Sequence, residues 1–159
     1  MNDGGKNVSL RHAVATLAYR AAKVLRDAPR FGDVRAAPST RSASQIVAHM
    51  ADLLEWAVRA ADGSAEWRAV SSGSWDGDMT RFFAAIGALD ERLASDEPLA
   101  CEAQRIFQGP IADALTHVGQ LATLRRLAGS GVRGESYFRA DIRPGQVGRE
   151  QAPPTFEFD

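Results

Sequence analysis

The chain has 159 residues, 45% of them hydrophobic and 25% charged, with a formal net charge of −1 at pH 7. That length suits one domain with a core of its own, and the balanced charge argues against a nucleic-acid partner, which needs a basic excess or stripe. No run of about 18 apolar residues reads as a membrane span, no secretory leader is expected, and the lone Cys101 suits a reducing, cytoplasmic setting.

Residues 1–7 are expected to fray. An alanine-rich helix is expected from Val8 to about Asp27, with Leu10, Val14, Leu17, Ala21, Val24 and Leu25 on its core stripe and Pro29 ending it. A linker with two prolines follows over 29–41. Ser42 and Gln45 stand three apart, as in a capping box, and open a second helix that stops near Gly63. Residues 64–75 lack an apolar period and read as a loop pinned by Trp67 and Trp75. The third helix is expected over 76–95, where Met79, Phe82, Phe83, Ile86, Leu89 and Leu93 form the core face and Asp76 and Asp78 complement the dipole. Residues 99–108 suit a short helix or an extended connector. The fourth helix is expected over 110–128, with Pro110 in its first turn and Gly129 just past its end. After Gly129 the glycines and prolines exclude a long helix, although Tyr137, Phe138 and Ile142 suggest that part of the tail packs. The whole, residues 1–159, reads as a single all-α domain: a four-helix bundle with a mostly irregular C-terminal tail, its long second and third connections suiting a crossover.

The residues with chemical potential are few. Of three histidines, His12 near the start of the first helix reads as a surface residue. Asp113 and His117 lie at i and i+4, so both side chains point the same way from the border of an apolar face, where an unpartnered polar group is unfavourable. His49 falls on the inner side or edge of the second helix. Facing helices of bundles build metal sites from such side chains, and two imidazoles with one carboxylate suit a divalent transition metal with a coordination position left open. Spacing alone leaves the alternatives open: a local hydrogen bond for Asp113 and His117, a satisfied core histidine for His49. Gln120 is placed to hydrogen-bond a ligand of the site or to sit as a polar edge residue. Gly119 suggests a close approach. Cys101 reads as a small packed residue. One of Arg125 and Arg126 is expected to pair with an acid, and Glu135, Tyr137 and Asp141 could fold over the open end of the bundle.

SASQIVAHMADLLEWA and FQGPIADALTHVGQLATLRRLAG, with the THVGQL element as the specific part, resemble the DinB-like (DinB/YfiT superfamily) four-helix proteins. The resemblance covers nearly all of the chain. It implies one divalent metal, zinc or nickel, on His49, Asp113 and His117, and a homodimer to which Trp56 or the aromatic-rich loop would contribute. Histidine is common in that family where Asp113 stands; aspartate adds negative charge and hardens the ligand set. The resemblance further implies a small-molecule substrate and either a thiol-dependent S-transferase or isomerase, using a low-molecular-weight thiol, or a metal-dependent hydrolase. The alternatives are a non-catalytic small-ligand- or metal-binding stress-response protein and a structural dimer without metal. A Ser-His-Asp mechanism is not expected, because no further histidine stands near the site.

Overall fold

The computed structural model describes residues 7–28 and 31–158. Four long helices, α1 (Val8–Leu25), α2 (Ala43–Ala61), α3 (Trp75–Ala94) and α5 (Ala112–Leu127), carry the fold, with a short α4 (Ala103–Ile106) before α5. Two two-residue strands, β1 (Gly134–Glu135) and β2 (Glu157–Phe158), pair antiparallel in the tail. The protein is thus mostly helical with a little sheet. Among the described residues no helix is long and apolar enough to cross a membrane.

Helix directions follow from the contacts between named residues. Arg11 pairs with Asp90 at 2.9 Å and the Asn7 amide donates to the Leu93 carbonyl at 3.1 Å, so α1 runs antiparallel to α3. Asn7 is therefore tied down rather than frayed; residues 1–6 and Pro29 lie outside the described residues. Arg81 of α3 reaches Asp52 and Glu55 of α2, and Arg92 reaches Asp62 just beyond α2 at 2.5 Å, so α2 and α3 run parallel. A parallel neighbour requires the connection over 62–74 to travel back along the bundle, the crossover expected of it. Asp52 accepts from the Val70 amide at 3.1 Å and Trp56 Nε1 donates to the Ala65 carbonyl at 2.9 Å, fastening this connection along its course. Trp75 packs edge-on against the buried Phe31, ring centroids 5.0 Å apart. Trp67, by contrast, is not pinned inside: it remains 46% exposed.

The core is built from the periodic positions. Val14, Leu17, Met50, Leu54, Phe82, Ile86, Leu89, Leu93 and Leu121 are fully buried, each removing apolar surface worth roughly 1.5–3 kcal/mol from water. The capping box is present as expected: Ser42 Oγ accepts from the Gln45 amide at 3.3 Å, and Gln45 Oε1 accepts from the Ser42 amide at 2.9 Å. α1 stops at Leu25, two residues before Asp27, because Arg26 turns to extended backbone and Asp27 adopts a left-handed φ of 46°. The carbonyls there are taken by Arg125, whose Nη1 donates to Val24 O (2.6 Å) and Arg26 O (2.8 Å), while Nε donates to Ser130 O (2.8 Å). Arg125 is thus a buried cap for α1 rather than the partner of a carboxylate.

The start of the last helix also differs from expectation. Pro110 does not open it; it sits inside a π-helical turn, Phe107–Ile111, that joins α4 to α5. Proline lacks an amide proton and clashes with the carbonyl four residues back, and the wider turn accommodates both. Gly129 does end the helix, at φ 83°. In the tail, buried Glu135 accepts from Tyr19 Oη at 2.5 Å and from Lys23 Nζ at 2.8 Å, and Lys23 also reaches Glu157 at 2.8 Å. Tyr137 meets Tyr19 edge-on at 6.2 Å, whereas Phe138 projects fully into solvent.

Candidate metal centre

His49, Asp113 and His117 converge. The capping box sets the start of α2 and places His49 about two turns in, where Ile46 and Met50 on either side are buried and the imidazole reaches the α5 side. On α5, buried Ala114, Val118 and Leu121 turn one face to the core. Asp113 and His117 ride the border of that face, as the i,i+4 spacing requires.

Nε2 of His49 lies 3.7 Å from Asp113 Oδ2, and Nε2 of His117 lies 3.6 Å from Asp113 Oδ1. The imidazoles stand edge to face with centroids 5.0 Å apart, and one ligating atom from each of the three residues lies within 4.8 Å of the others. Metal–ligand bonds of about 2.0–2.1 Å in a tetrahedral site separate ligands by roughly 3.4 Å. The two carboxylate–imidazole separations are only slightly wider, and with all three ligating atoms within 4.8 Å of one another the cluster could hold a metal ion once the side chains draw together. The chemistry of the donors agrees, since two imidazole nitrogens and a carboxylate oxygen leave at least one of four positions open.

Two further groups tune the imidazoles. Nδ1 of His117 lies 2.8 Å from Gln120 Oε1. An amide oxygen only accepts, so Nδ1 is the donor in this contact, and in a neutral imidazole that leaves the Nε2 lone pair facing the cluster. The His49 pKa is held below the ordinary 6.5, chiefly by burial and then by the charges of Arg41 and His117, against the opposing pull of Asp113 and Asp52. A neutral imidazole is the form that ligates a cation.

The cluster opens on two clefts. One, of about 570 Å³, holds His49, Trp67 and Asp52 on its walls. The other, of about 460 Å³, holds His117, Gln120 and Ile46. Ile46 shares a cleft with Gln120, Thr123 and Leu124, whereas His49, a turn later, meets Asp113 and His117, so α2 and α5 run antiparallel past the site. Trp67 hangs beside His49, its ring centroid 5.7 Å from the imidazole. Neither Trp67 nor Arg41, which lines both clefts, was marked by spacing, since both lie in connections whose paths no periodicity describes.

The other candidates lie apart from this cluster. His12 is exposed and Cys101 is a half-buried free thiol. Tyr137 and Glu135 belong to the Tyr19–Lys23 contact, and Asp141 pairs with Arg143 at 2.8 Å. Gly119 faces open space: a Cβ there would meet nothing within 4 Å, so no close packing explains the glycine. No family model, curated protein or solved structure matches the chain.

Proposed function

We propose that the protein binds one divalent transition metal, zinc or nickel, on His49, Asp113 and His117, and that it is a DinB-like enzyme acting on a small molecule. The observation that carries this reading is the approach of three ligating atoms from two helices to within 4.8 Å of one another. The resemblance of the THVGQL element supports the same assignment, and the mostly helical architecture is compatible with it. When bound, such a cation acts as a Lewis acid and lowers the pKa of a nucleophile that occupies the open position. The chain's own residues do the rest: Gln120 orients His117, burial favours the neutral form of His49, and the two clefts admit the reactants. Thiol-dependent S-transfer is the reaction favoured, with hydrolysis second, and the protein would act as a homodimer in the cytoplasm.

Metal analysis of purified protein tests the reading. One metal per chain is expected, lost in His49→Ala and His117→Ala while the helical circular dichroism is retained. Loss of a low-molecular-weight thiol in the presence of an electrophile, dependent on the metal, is expected next. Metal content unchanged in both variants would overturn the site. Metal binding without thiol consumption or hydrolysis would leave a non-catalytic metal protein.

A further inference from the structure

Arg41 is a cationic group beside the candidate metal centre. It lies one residue before the Ser42 cap of α2 and borders both clefts, the one containing His49 and the one containing His117. It is exposed, and no carboxylate lies within 4.0 Å of it among the described residues. The neighbouring arginines are engaged. Arg35 donates to Thr40 O at 2.5 Å and to Gln45 Oε1 at 3.1 Å, and Arg81 is held by Asp52 and Glu55.

The acids of the larger cleft are mostly engaged as well. Asp52 accepts from the Val70 amide and from Arg81, and Asp78 accepts from Ser71 Oγ at 2.9 Å and the Ser72 amide at 2.8 Å. Asp33 is the remaining acid on its wall. A divalent cation held by one carboxylate and two neutral imidazoles keeps a net positive charge, and Arg41 adds to it. The charge of Arg41 is already felt at His49, where it disfavours protonation. Half-exposed Trp67 supplies an apolar wall in the same cleft.

We propose that Arg41 is the specificity-determining residue of this site and that the ligand is a small organic carboxylate, its anionic group on the Arg41 guanidinium and a second donor atom at the open metal position. This rests on the metal-binding reading above. Arginine suits the role because its planar fork matches a carboxylate with two parallel hydrogen bonds. Asp33 repels the same group and so narrows the places where it can settle.

The test uses the full chain loaded with Co²⁺, whose visible and near-ultraviolet absorption reports coordination by a thiolate. The probes are ω-mercaptoalkanoates of three to six carbons and the neutral mercaptoalcohols of the same lengths. At the best length the carboxylate is expected to bind about fivefold tighter than the alcohol, the upper range for an exposed ion pair. The preference should shrink with added salt and vanish in Arg41→Gln, with the alcohol's affinity unchanged. Equal binding of both series to the wild type, or a preference that survives Arg41→Gln, overturns the proposal while the metal site stands. Failure of Co²⁺ to bind at all overturns the metal reading, and this one with it.

Discussion

His117 and Gln120 form a hydrogen-bonded pair one turn apart on α5, with 2.8 Å between Nδ1 and Oε1. The contact commits the imidazole to one tautomer and holds its ring while Nε2 faces Asp113. Groups that hold a ligating histidine in this way commonly contribute 10–100-fold to metal affinity. Gln120→Ala is therefore expected to weaken Zn²⁺ binding by about 10–100-fold, as read by competition with a chromophoric chelator. Gln120→Glu, which keeps an acceptor, should recover most of the loss. An unchanged affinity in Gln120→Ala would mean that the amide does not orient the ring.

Asp113 offers a second check on the ligand set. Its two oxygens each approach a different imidazole, at 3.6 and 3.7 Å. Asp113→His preserves a ligating atom on the same face and is expected to retain one metal per chain. Asp113→Ala should lose it after dialysis. Retention by both variants would show that the carboxylate is not a ligand.

The local signals in the sequence survive folding, and the long-range ones were not visible. Ser42 and Gln45 interact within a single turn, so their spacing suffices to place the start of α2. Asp113 and His117 share a face by helical geometry alone, although their meeting with His49 depends on how α2 packs on α5. Pro110 misleads because proline ordinarily marks a first turn, and only the π-helical turn lets it sit inside a continuous segment. Arg125 and Val24 lie 101 residues apart, and Lys23 and Glu135 lie 112 apart. No periodic pattern links such residues. The same holds for Arg41 and Trp67, brought to the site by connections rather than by helices.

The depressed His49 pKa makes a prediction for the metal-free protein. Burial is the main cause, with Arg41 and His117 adding to it and Asp113 and Asp52 opposing it. Unfolding restores an ordinary value near 6.5, so the unfolded chain binds the proton more readily than the folded one. This contribution to stability is present above about pH 6.5 and is lost as the pH falls through the folded value. The melting temperature of metal-free protein is expected to drop between pH 7 and pH 5, and less so in His49→Gln. Equal slopes for the two proteins would contradict the assignment.

The tail is held to α1 by a buried cluster. The Glu135 side chain is fully covered, accepting from Tyr19 and Lys23, and Lys23 is itself only 8% exposed. Removing one partner of a buried ion pair leaves the other charge uncompensated, at about 3–5 kcal/mol. Lys23→Ala is expected to destabilise by that amount in urea unfolding. Lys23→Met combined with Glu135→Gln should cost much less, because neither buried charge is then left alone and the more exposed Glu157 keeps Arg133 at 3.7 Å. Tyr19 supplies an independent reading: burial first, then the hydrogen bond to Glu135, push its pKa well above the ordinary phenol value. With two tyrosines in the chain, an alkaline spectrophotometric titration should show one ionising late, and Tyr19→Phe should remove that late step.

Arg81 performs the corresponding task between α2 and α3 and carries the crossing connection as well. Its guanidinium reaches Asp52, Glu55 and Asp78, and Nη1 also donates to the Val70 carbonyl at 2.5 Å. Asp52 and Asp78 are 4% and 2% exposed, so Arg81→Ala would leave two buried carboxylates without their cation. The backbone and serine donors from Val70, Ser71 and Ser72 soften this loss but carry no full charge. A destabilisation of about 3–5 kcal/mol is expected. Arg81→Lys should recover little of it, since an ammonium cannot reproduce the fork that spans several carboxylates. The same variants should loosen the segment around Trp67, because Val70 is tied to both Asp52 and Arg81. Faster tryptic cleavage at Arg68, under conditions where the helical circular dichroism is unchanged, would show that loosening. Cleavage as slow as in the wild type would mean that Trp56 and Arg59, which hold Ala65 and Glu66, suffice to fasten the connection.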